Sequence, residues 1–128
     1  MRRRPRSRYA ADLVGVNLFR GKAARGIVDL GGGATLVAPD APAGDVFAVV
    51  HPHAVALHRQ PPEGTPRNVW RGSAGAVDLL GDRARVEFRG LLPLVAEVTP
   101  TSVSDLRLTE GGDLWATVKA TEVVVYPA

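Results

Sequence analysis

The chain has 128 residues, the size of one compact domain or two very small ones, and it contains no cysteine. The composition therefore excludes a disulfide framework and a thiolate metal site. Because the sequence has neither an apolar run of about 18 residues nor a secretory signal, we expect a soluble cytoplasmic protein with no direct membrane insertion.

The net charge of +3 arises at one end of the chain. Five of the 16 basic residues lie within residues 1–8, and the remainder has 11 basic against 13 acidic side chains. A basic run of this kind is usually a solvated tail. The seven aromatic residues form no cluster with basic residues of the kind that stacks on bases, so we expect no nucleic-acid partner. A small nucleic-acid-binding protein that uses the tail is an alternative, which a steep salt dependence of binding would identify.

In chain order, the pattern predicts an early helix, a series of short strands and one late helix. The early helix would cover residues 9–18, with Leu13, Val14 and Leu18 on one side. Three prolines within residues 60–66 mark a linker. The late helix follows Thr99-Pro100, has a threonine beside the proline as its N-cap candidate, covers residues 101–108 and has two turns at most. Short apolar runs between turn-forming residues predict strands at 46–50, 54–58, 84–88, 94–98, 114–118 and 122–126.

The sequence contains an internal repeat. The pattern Asn-apolar-aromatic-Arg-Gly occurs at residues 17–21 and again at 68–72, and residues 44–51 align with residues 112–119. The second half is 17 residues longer between its two signatures, and we attribute the extra length to the late helix and the strand at 94–98. The repeat predicts two related β-rich lobes that pack against each other or against a partner chain.

The histidines and serines do not form a convincing catalytic or metal-binding pattern. His51 and His53 alternate as two ligands on a strand would, with His58 nearby, but Pro52 separates them and no acidic residue accompanies them. A G-x-S-x-G elbow and a spaced Ser-His-Asp group are also absent from the sequence. We therefore expect no catalytic residue, no bound metal and no cofactor.

Three motifs in the second half occur in a familiar order. They are Thr65-Pro66-Arg67-Asn68, Val98-Thr99-Pro100-Thr101-Ser102-Val103 and Val118-Lys119-Ala120-Thr121-Glu122-Val123. This region resembles the molybdate-binding Mop (molbindin) module, or transport-associated OB (TOBE) domain, whose patterns are S-A-R-N, I-T-x-x-S-A and I-K-A-T-[DE]-V. Residues 9–17 also resemble the segment that follows the nucleotide-binding domain in ATP-binding subunits of molybdate-type ABC importers.

The resemblance implies an all-β protein of two tandem OB-like β-barrel lobes with one or two short helices. Residues 1–8 would be a basic tail, residues 9–60 the N-terminal OB-like lobe and residues 61–128 the C-terminal Mop/TOBE lobe. It also implies a site for a molybdate or tungstate oxyanion. The implied ligand residues are Arg67, Asn68, Thr101, Ser102, Lys119, Ala120 and Thr121.

These residue types suit a tetrahedral dianion. Thr101 and Ser102 stand at a helix start, where free backbone N–H groups favour an anion. Lys119 supplies positive charge, and the two residues after it can present backbone and hydroxyl donors. Arg67 could reach across a chain interface, or instead pair with Glu63 or Glu97. The amide of Asn68 would brace the loop.

The sequence departs from the family pattern at a few positions. Thr65-Pro66 replaces Ser-Ala, and the proline removes one backbone donor. Val103 replaces the Ala of the second motif. In the first half, His51-Pro52-His53 stands where the second half has Lys119-Ala120-Thr121, so we expect no equivalent oxyanion site there.

The resemblance implies a non-catalytic, oxyanion-binding domain with a regulatory or storage role in molybdate import. We expect a homo-oligomer, most simply a dimer, and an ABC transporter ATPase or permease as partner at the inner face of the cell membrane. The sequence lacks the phosphate loop G-x-x-x-x-G-K-[ST], so we expect no ATP hydrolysis. A structural dimerisation module that has lost its ligand is the alternative.

Overall fold

The structure is a computed structural model that describes residues 15–64 and 68–128. These residues form strands, one α-helix and two short 3-10 turns. The strands are β1 (Asn17–Ala24), β2 (Ile27–Gly31), β3 (Ala34–Val37), β4 (Gly44–Val50), β5 (Ala56–His58), β6 (Asn68–Leu80), β7 (Arg83–Gly90), β8 (Leu94–Val98), β9 (Leu114–Val118) and β10 (Val124–Pro127). The helix is α1 (Pro100–Asp105), and the first and second 3-10 turns are Pro52–Ala54 and Ala120–Glu122.

The chain divides into two compact units. Among the described residues, the first unit contains 15–51 and Lys119–Ala128, and the second contains Pro52–Val118 without residues 65–67. The first unit has one sheet in the order β10-β4-β1-β2-β3, with each neighbouring pair antiparallel. Its fully buried apolar side chains are Val28, Leu36, Val46, Ala48 and Val50.

The second unit has a sheet in the order β5-β9-β6-β7-β8, again antiparallel throughout. Its fully buried side chains include Val86, Phe88, Leu94, Leu114 and Ala116. The helix α1 follows β8, and Thr99 is its N-cap, as the sequence predicts. Alternation of buried and exposed residues along β7 and β8 places one face of this sheet against the core.

Backbone pairing confirms the internal repeat. In the first unit, Asn17 pairs with Val50 at one end of β1 and β4, and Gly21 pairs with Val46. In the second unit, the corresponding pairs on β6 and β9 join Asn68 to Val118 and Gly72 to Leu114. The 3-10 turns follow β4 and β9 at the same offset, so the correspondence continues beyond the strands.

The last strand of each repeat pairs with a strand of the other repeat. Strand β5 follows the first 3-10 turn and pairs with β9, whereas β10 follows the second turn and pairs with β4. The two units therefore do not follow the expected division into residues 9–60 and 61–128. Residues 52–60 join the second unit and the final ten residues join the first, because strand pairing between distant segments sets the division.

The structure is mostly β, as expected, and four of the predicted strands are confirmed directly. These four lie within or coincide with β4, β7, β8 and β9. The predicted strands at 54–58 and 122–126 each begin two residues late, because the chain first makes a 3-10 turn. The extra length of the second repeat does not include β8, since this strand corresponds to β3 in sheet order. It lies in the longer β6–β7 hairpin and in residues 99–113.

The two helix predictions have different outcomes. The late helix is confirmed as α1, although it ends at Asp105 and residues 106–109 continue as turns. The early helix is wrong at its C-terminal end, where residues 15 and 16 form a turn and β1 begins at Asn17. Residues 9–14 lie outside the described residues. No helix in the described ranges is both long and apolar enough to span a bilayer.

Candidate functional site

The second 3-10 turn presents three of the predicted ligand residues. Lys119 precedes the turn with extended backbone, and its carbonyl accepts a 2.8 Å hydrogen bond from the N–H of Glu122. The N–H of Val123 donates to the carbonyl of Ala120 at 3.3 Å. The N–H groups of Ala120 and Thr121 take no part in these bonds, because the first amides of any helical turn lack an internal acceptor. Lys119 and Thr121 are exposed, so both side chains can reach a ligand in solvent.

A pocket of about 240 Å³ lies beside this turn within the first unit. Its lining comprises Ala38, Pro39, Asp40, Ala41, Ala120, Thr121, Val123 and Val125. The volume exceeds the share of a single water molecule, about 30 Å³, several-fold and can admit a small ion. Asp40 is the ionisable residue of this lining, and its negative charge opposes the entry of a dianion. The pocket therefore combines donors with one unfavourable carboxylate.

The start of α1 holds Thr101 and Ser102, but not with the free amides that the sequence suggests. The N–H of Ser102 donates to Oγ1 of Thr99 at 3.1 Å, and the Thr99 hydroxyl donates to Oγ of Ser102, also at 3.1 Å. The N–H of Val103 donates to the carbonyl of Thr99 at 3.2 Å. The expectation of a free Ser102 amide is therefore wrong, because the N-cap occupies it. The Ser102 hydroxyl hydrogen and the exposed Thr101 are the donors left for a ligand.

Asn68 occupies a buried position at the start of β6, with 3% of its surface exposed. Its counterpart Asn17 donates from Nδ2 to the carbonyl of Val50 at 3.1 Å, at the end of β4. Asn68 stands opposite Val118, the residue directly before Lys119. Asn68 is therefore placed to support the end of β9, where the chain continues to Lys119.

Arg67 lies outside the described residues. Of its two suggested ion-pair partners, Glu97 makes salt bridges to Arg83 at 3.1 Å and to Arg85 at 3.6 Å.

The predicted site residues that the structure describes fall into two groups. Asn68, Thr101 and Ser102 belong to the second unit, whereas Lys119, Ala120 and Thr121 belong to the first.

The first 3-10 turn is an internal comparison for the second. The N–H of Val55 donates to the carbonyl of Pro52 at 3.2 Å, just as Val123 donates to Ala120. Pro52 has no N–H, so this turn lacks a donor that the second turn has.

Among the described residues, the histidines do not form a metal site. His58 bonds through Nε2 to Oγ1 of Thr117 at 3.0 Å. Within residues 15–64 and 68–128, no group of three or more His, Asp or Glu side chains is placed to hold a metal ion.

Sequence reasoning missed two residues near these groups. Asp40 lines the pocket beside Ala120, and Arg59 bonds to the segment that follows α1. Both are distant in sequence from the residues they accompany, and the exchanged strands β5 and β10 bring them there. A motif search along the chain carries no signal for such long-range placement.

Comparison with known proteins identifies the second half of the chain. Residues 64–125 match the model of the TOBE domain. The chain is 35% identical over 133 residues to the molybdenum import ATP-binding protein ModC of Mycobacterium tuberculosis, with the same match in strains CDC 1551 / Oshkosh and ATCC 25618 / H37Rv. The match covers 97% of this chain and 36% of the relative, so the chain spans about a third of the length of these relatives.

The fold also matches a solved structure, that of the cytoplasmic molybdate-binding protein ModG with molybdate bound. The TM-score is 0.73 at 24% sequence identity, and the match covers 88% of this chain and 96% of that one. The similarity confirms the predicted OB-like fold. The family match spans all three motifs and all seven predicted ligand residues. Residues 64–125 are therefore similar to the TOBE domain, and nearly the whole chain is similar in sequence to ModC.

Proposed function

We propose that the chain binds a tetrahedral oxyanion, molybdate or tungstate, without performing chemistry on it. The observation that carries this proposal is the TOBE match, which includes every proposed ligand residue from Arg67 to Thr121. The names of the relatives support the choice of anion, since ModC is a molybdenum import protein and ModG a molybdate-binding protein.

In the first unit, Lys119 would supply positive charge, and the Ala120 and Thr121 amides would donate to the oxyanion. Hydrogen bonds between charged and neutral groups are stronger than neutral ones, and this favours a divalent ligand over water. The exposed position of Lys119 allows the side chain to turn toward the ligand at little cost in desolvation.

In the second unit, Thr101 and the hydroxyl of Ser102 would act as donors, and Arg67 would add a bidentate guanidinium. We assign Asn68 a supporting role, because its burial leaves the amide almost no surface for a ligand. We further propose a homodimer in which Arg67 reaches across the interface between two copies of the chain.

The role we propose is regulation or storage in molybdate import. Bound oxyanion would favour one arrangement of the homo-oligomer over another and so restrain an associated transporter ATPase at the inner face of the membrane. Such control requires that the anion have different affinities for the two arrangements.

The test is titration calorimetry of the chain with molybdate and tungstate, with sulfate as the control anion. Mass in solution is recorded before and after titration. We expect saturable molybdate binding that exceeds sulfate binding, with a fixed number of sites per oligomer. Heat that is equal for all three anions would contradict a dedicated site, since nonspecific charge attraction does not distinguish them.

One observation favours a second candidate function, an oligomerisation module without ligand. Asp40 places a carboxylate in the pocket beside Ala120 and Thr121, where it repels any anion. A dimer of unchanged mass that gives no heat with any of the anions would support this candidate and exclude the first.

A further inference from the structure

We infer that Arg59 is a positioning residue, which holds α1 and the segment after it in the arrangement that presents Thr101 and Ser102. The inference rests on the proposed function for its effect on the oxyanion, and on the observed contacts alone for its effect on the segment. We call the segment between α1 and β9, residues 106–113, the α1–β9 loop.

The guanidinium of Arg59 makes three hydrogen bonds, all to backbone carbonyls of this loop. Nε donates to Leu106 at 2.6 Å, Nη2 donates to Arg107 at 2.6 Å and Nη1 donates to Asp113 at 2.8 Å. The fork of a guanidinium can reach several acceptors at once, which an ammonium group cannot do in the same way. One side chain therefore ties the first and last residues of the loop together.

Two of these acceptors directly follow the last residue of α1. Leu106 is the C-cap, and the last carbonyls of a helix have no partner within it. Arg59 supplies a donor to the carbonyl of Leu106 and a second donor to that of Arg107, which also accepts from the N–H of Glu110 at 3.1 Å. A basic side chain at this end also interacts favourably with the helix dipole. A helix of six residues has little stability of its own and depends on such tertiary contacts.

The loop itself has backbone conformations that need support. Arg107 has a φ of 51°, and Gly111 and Gly112 have φ values of 79° and 95°. Arg71 also holds Asp113 at the end of the loop through a 2.6 Å salt bridge, and the fully buried Leu108 anchors the middle of the loop. The three bonds of Arg59 fix the two sides of the loop around this anchor.

The repeat supplies an independent observation that links Arg59 to the helix. At the offset that relates the first 3-10 turn to the second, the counterpart of Arg59 is Pro127. The first unit has no helix between β3 and β4, where the second has α1 and its loop between β8 and β9. The unit that contains the helix has the arginine, and the unit without the helix has a residue that cannot make these bonds.

Arg59 also links α1 to the exchanged strand. It directly follows β5, and His58 at the end of β5 pairs with Trp115 on β9. The pairing of β5 therefore delivers the guanidinium to the loop. Loss of the guanidinium should loosen the loop and α1 while it leaves the paired strands in place.

The test compares Arg59→Ala and Arg59→Lys with the unaltered chain and with Arg89→Ala. The control removes the same charge from the same unit, and its guanidinium pairs with Glu87 rather than with the loop. Amide hydrogen exchange is measured by segment, and molybdate affinity is measured by calorimetry. In Arg59→Ala we expect exchange in residues 103–113 to be at least about tenfold faster and molybdate binding about tenfold weaker, because the substitution removes three charge-assisted bonds and the loss of one alone accounts for about a tenfold change.

In Arg59→Lys, the exchange rate of residues 103–113 and the molybdate affinity should lie between those of Arg59→Ala and the unaltered chain. Arg89→Ala should change neither the exchange rate nor the affinity. Exchange in β6 and β7 should stay constant in all variants, which separates local loosening from failure to fold. Unchanged exchange in residues 103–113 of Arg59→Ala would overturn the inference. Faster exchange in Arg59→Ala with unchanged molybdate affinity would show that Arg59 has only a structural role, and this result would also overturn the inference.

The two proposals fail in different ways. If the unaltered chain does not bind molybdate, the proposed function fails and the positioning role fails with it, whereas the exchange data still report whether Arg59 orders the loop. If the unaltered chain binds molybdate and Arg59→Ala binds it equally well, only the inference about Arg59 fails.

Discussion

The guanidinium of Arg71 lies over the indole ring of Trp115, with Cζ 5.6 Å from the ring centroid. The two residues face each other in register on β6 and β9. In the first unit, Arg20 lies over the ring of Phe47 at 5.7 Å, at the corresponding positions of β1 and β4. The repeats therefore share a side-chain pair as well as strand pairing, and each unit can serve as a control for the other.

Replacement of Lys119 by Ala should weaken molybdate binding by about tenfold or more, because it removes a charge-assisted bond. The melting temperature should not change, since the side chain is exposed. The chain contains one other lysine, Lys22, which is also exposed, so Lys22→Ala is a control of equal charge. Calorimetry and thermal melting measure the two effects. Equal affinities for both variants would contradict the assignment of Lys119.

Replacement of Ala120 by Pro should remove one donor and preserve the fold. Pro52 holds the corresponding position in the first 3-10 turn, and Lys119 already has the extended backbone (φ −66°, ψ 140°) that a following proline requires. Stability should stay the same or rise by less than about 1 kcal/mol, while molybdate affinity falls by about tenfold. Denaturant unfolding gives the first value and calorimetry the second. Ala120→Gly keeps the amide and is the matched control, so a similar loss of affinity in that variant would count against the amide as a ligand.

Replacement of Asp40 by Asn should strengthen oxyanion binding, since it removes a negative charge from the pocket beside Ala120 and Thr121. We expect a gain of about threefold to tenfold at low salt that shrinks at high salt, because mobile ions screen exposed charges. Asp78→Asn removes the same charge from β6 in the second unit. A titration series at two salt concentrations compares the variants. If both variants raise affinity equally, net charge rather than the pocket determines binding.

Replacement of Gly72 by Ala should destabilise the second unit. A Cβ at this position would collide with the carbonyl oxygen of Arg89 and would lie 2.8 Å from Cζ of Phe88, a fully buried ring. We expect a loss of about 1–3 kcal/mol in the free energy of unfolding, the usual cost of overpacking. Ser73→Ala, at the next position of β6, should cost much less. Denaturant unfolding of both variants measures these losses. Equal stabilities of Gly72→Ala and Ser73→Ala would contradict the prediction, because they would show that the neighbours of Gly72 shift to accommodate the added methyl group.

The same substitution in the first unit, Gly21→Ala, should have a similar effect. A Cβ there would collide with the carbonyl oxygen of Asp29 and lie 2.9 Å from both Val28 and Leu30 side chains. Because Gly21 and Gly72 occupy corresponding register positions, we expect losses of similar size. A loss at one position alone would show that the equivalence of the units is limited to the backbone.

Local features of the fold could be predicted because they depend on neighbours in sequence. Turn-forming residues bound β4, β7, β8 and β9, and Thr99-Pro100 marks the start of α1. The 3-10 turns were missed because Ala54 and Glu122 continue into apolar residues that suit a strand equally well.

Pairing between distant segments could not be predicted. Nothing in the short apolar pattern of β5 or β10 distinguishes a partner in its own repeat from a partner in the other. The consequence reaches the candidate site, since the same exchange brings Asp40 beside Ala120 and carries Arg59 to the α1–β9 loop. The Ser102 amide donates to the hydroxyl of the predicted N-cap residue, but the sequence does not show which backbone N–H an N-cap side chain will accept from.

The exchange of β5 and β10 bears on how such a chain could arise. A polypeptide with one repeat would leave its sheet without a fifth strand, and a second copy of the same polypeptide would have to provide it. Joining two copies in one gene turns that encounter between molecules into one within a molecule, at a high effective concentration. Once joined, the repeats are free to diverge, so that the second has the helix and the lysine turn while the first has the arginine that bonds to the loop after the helix.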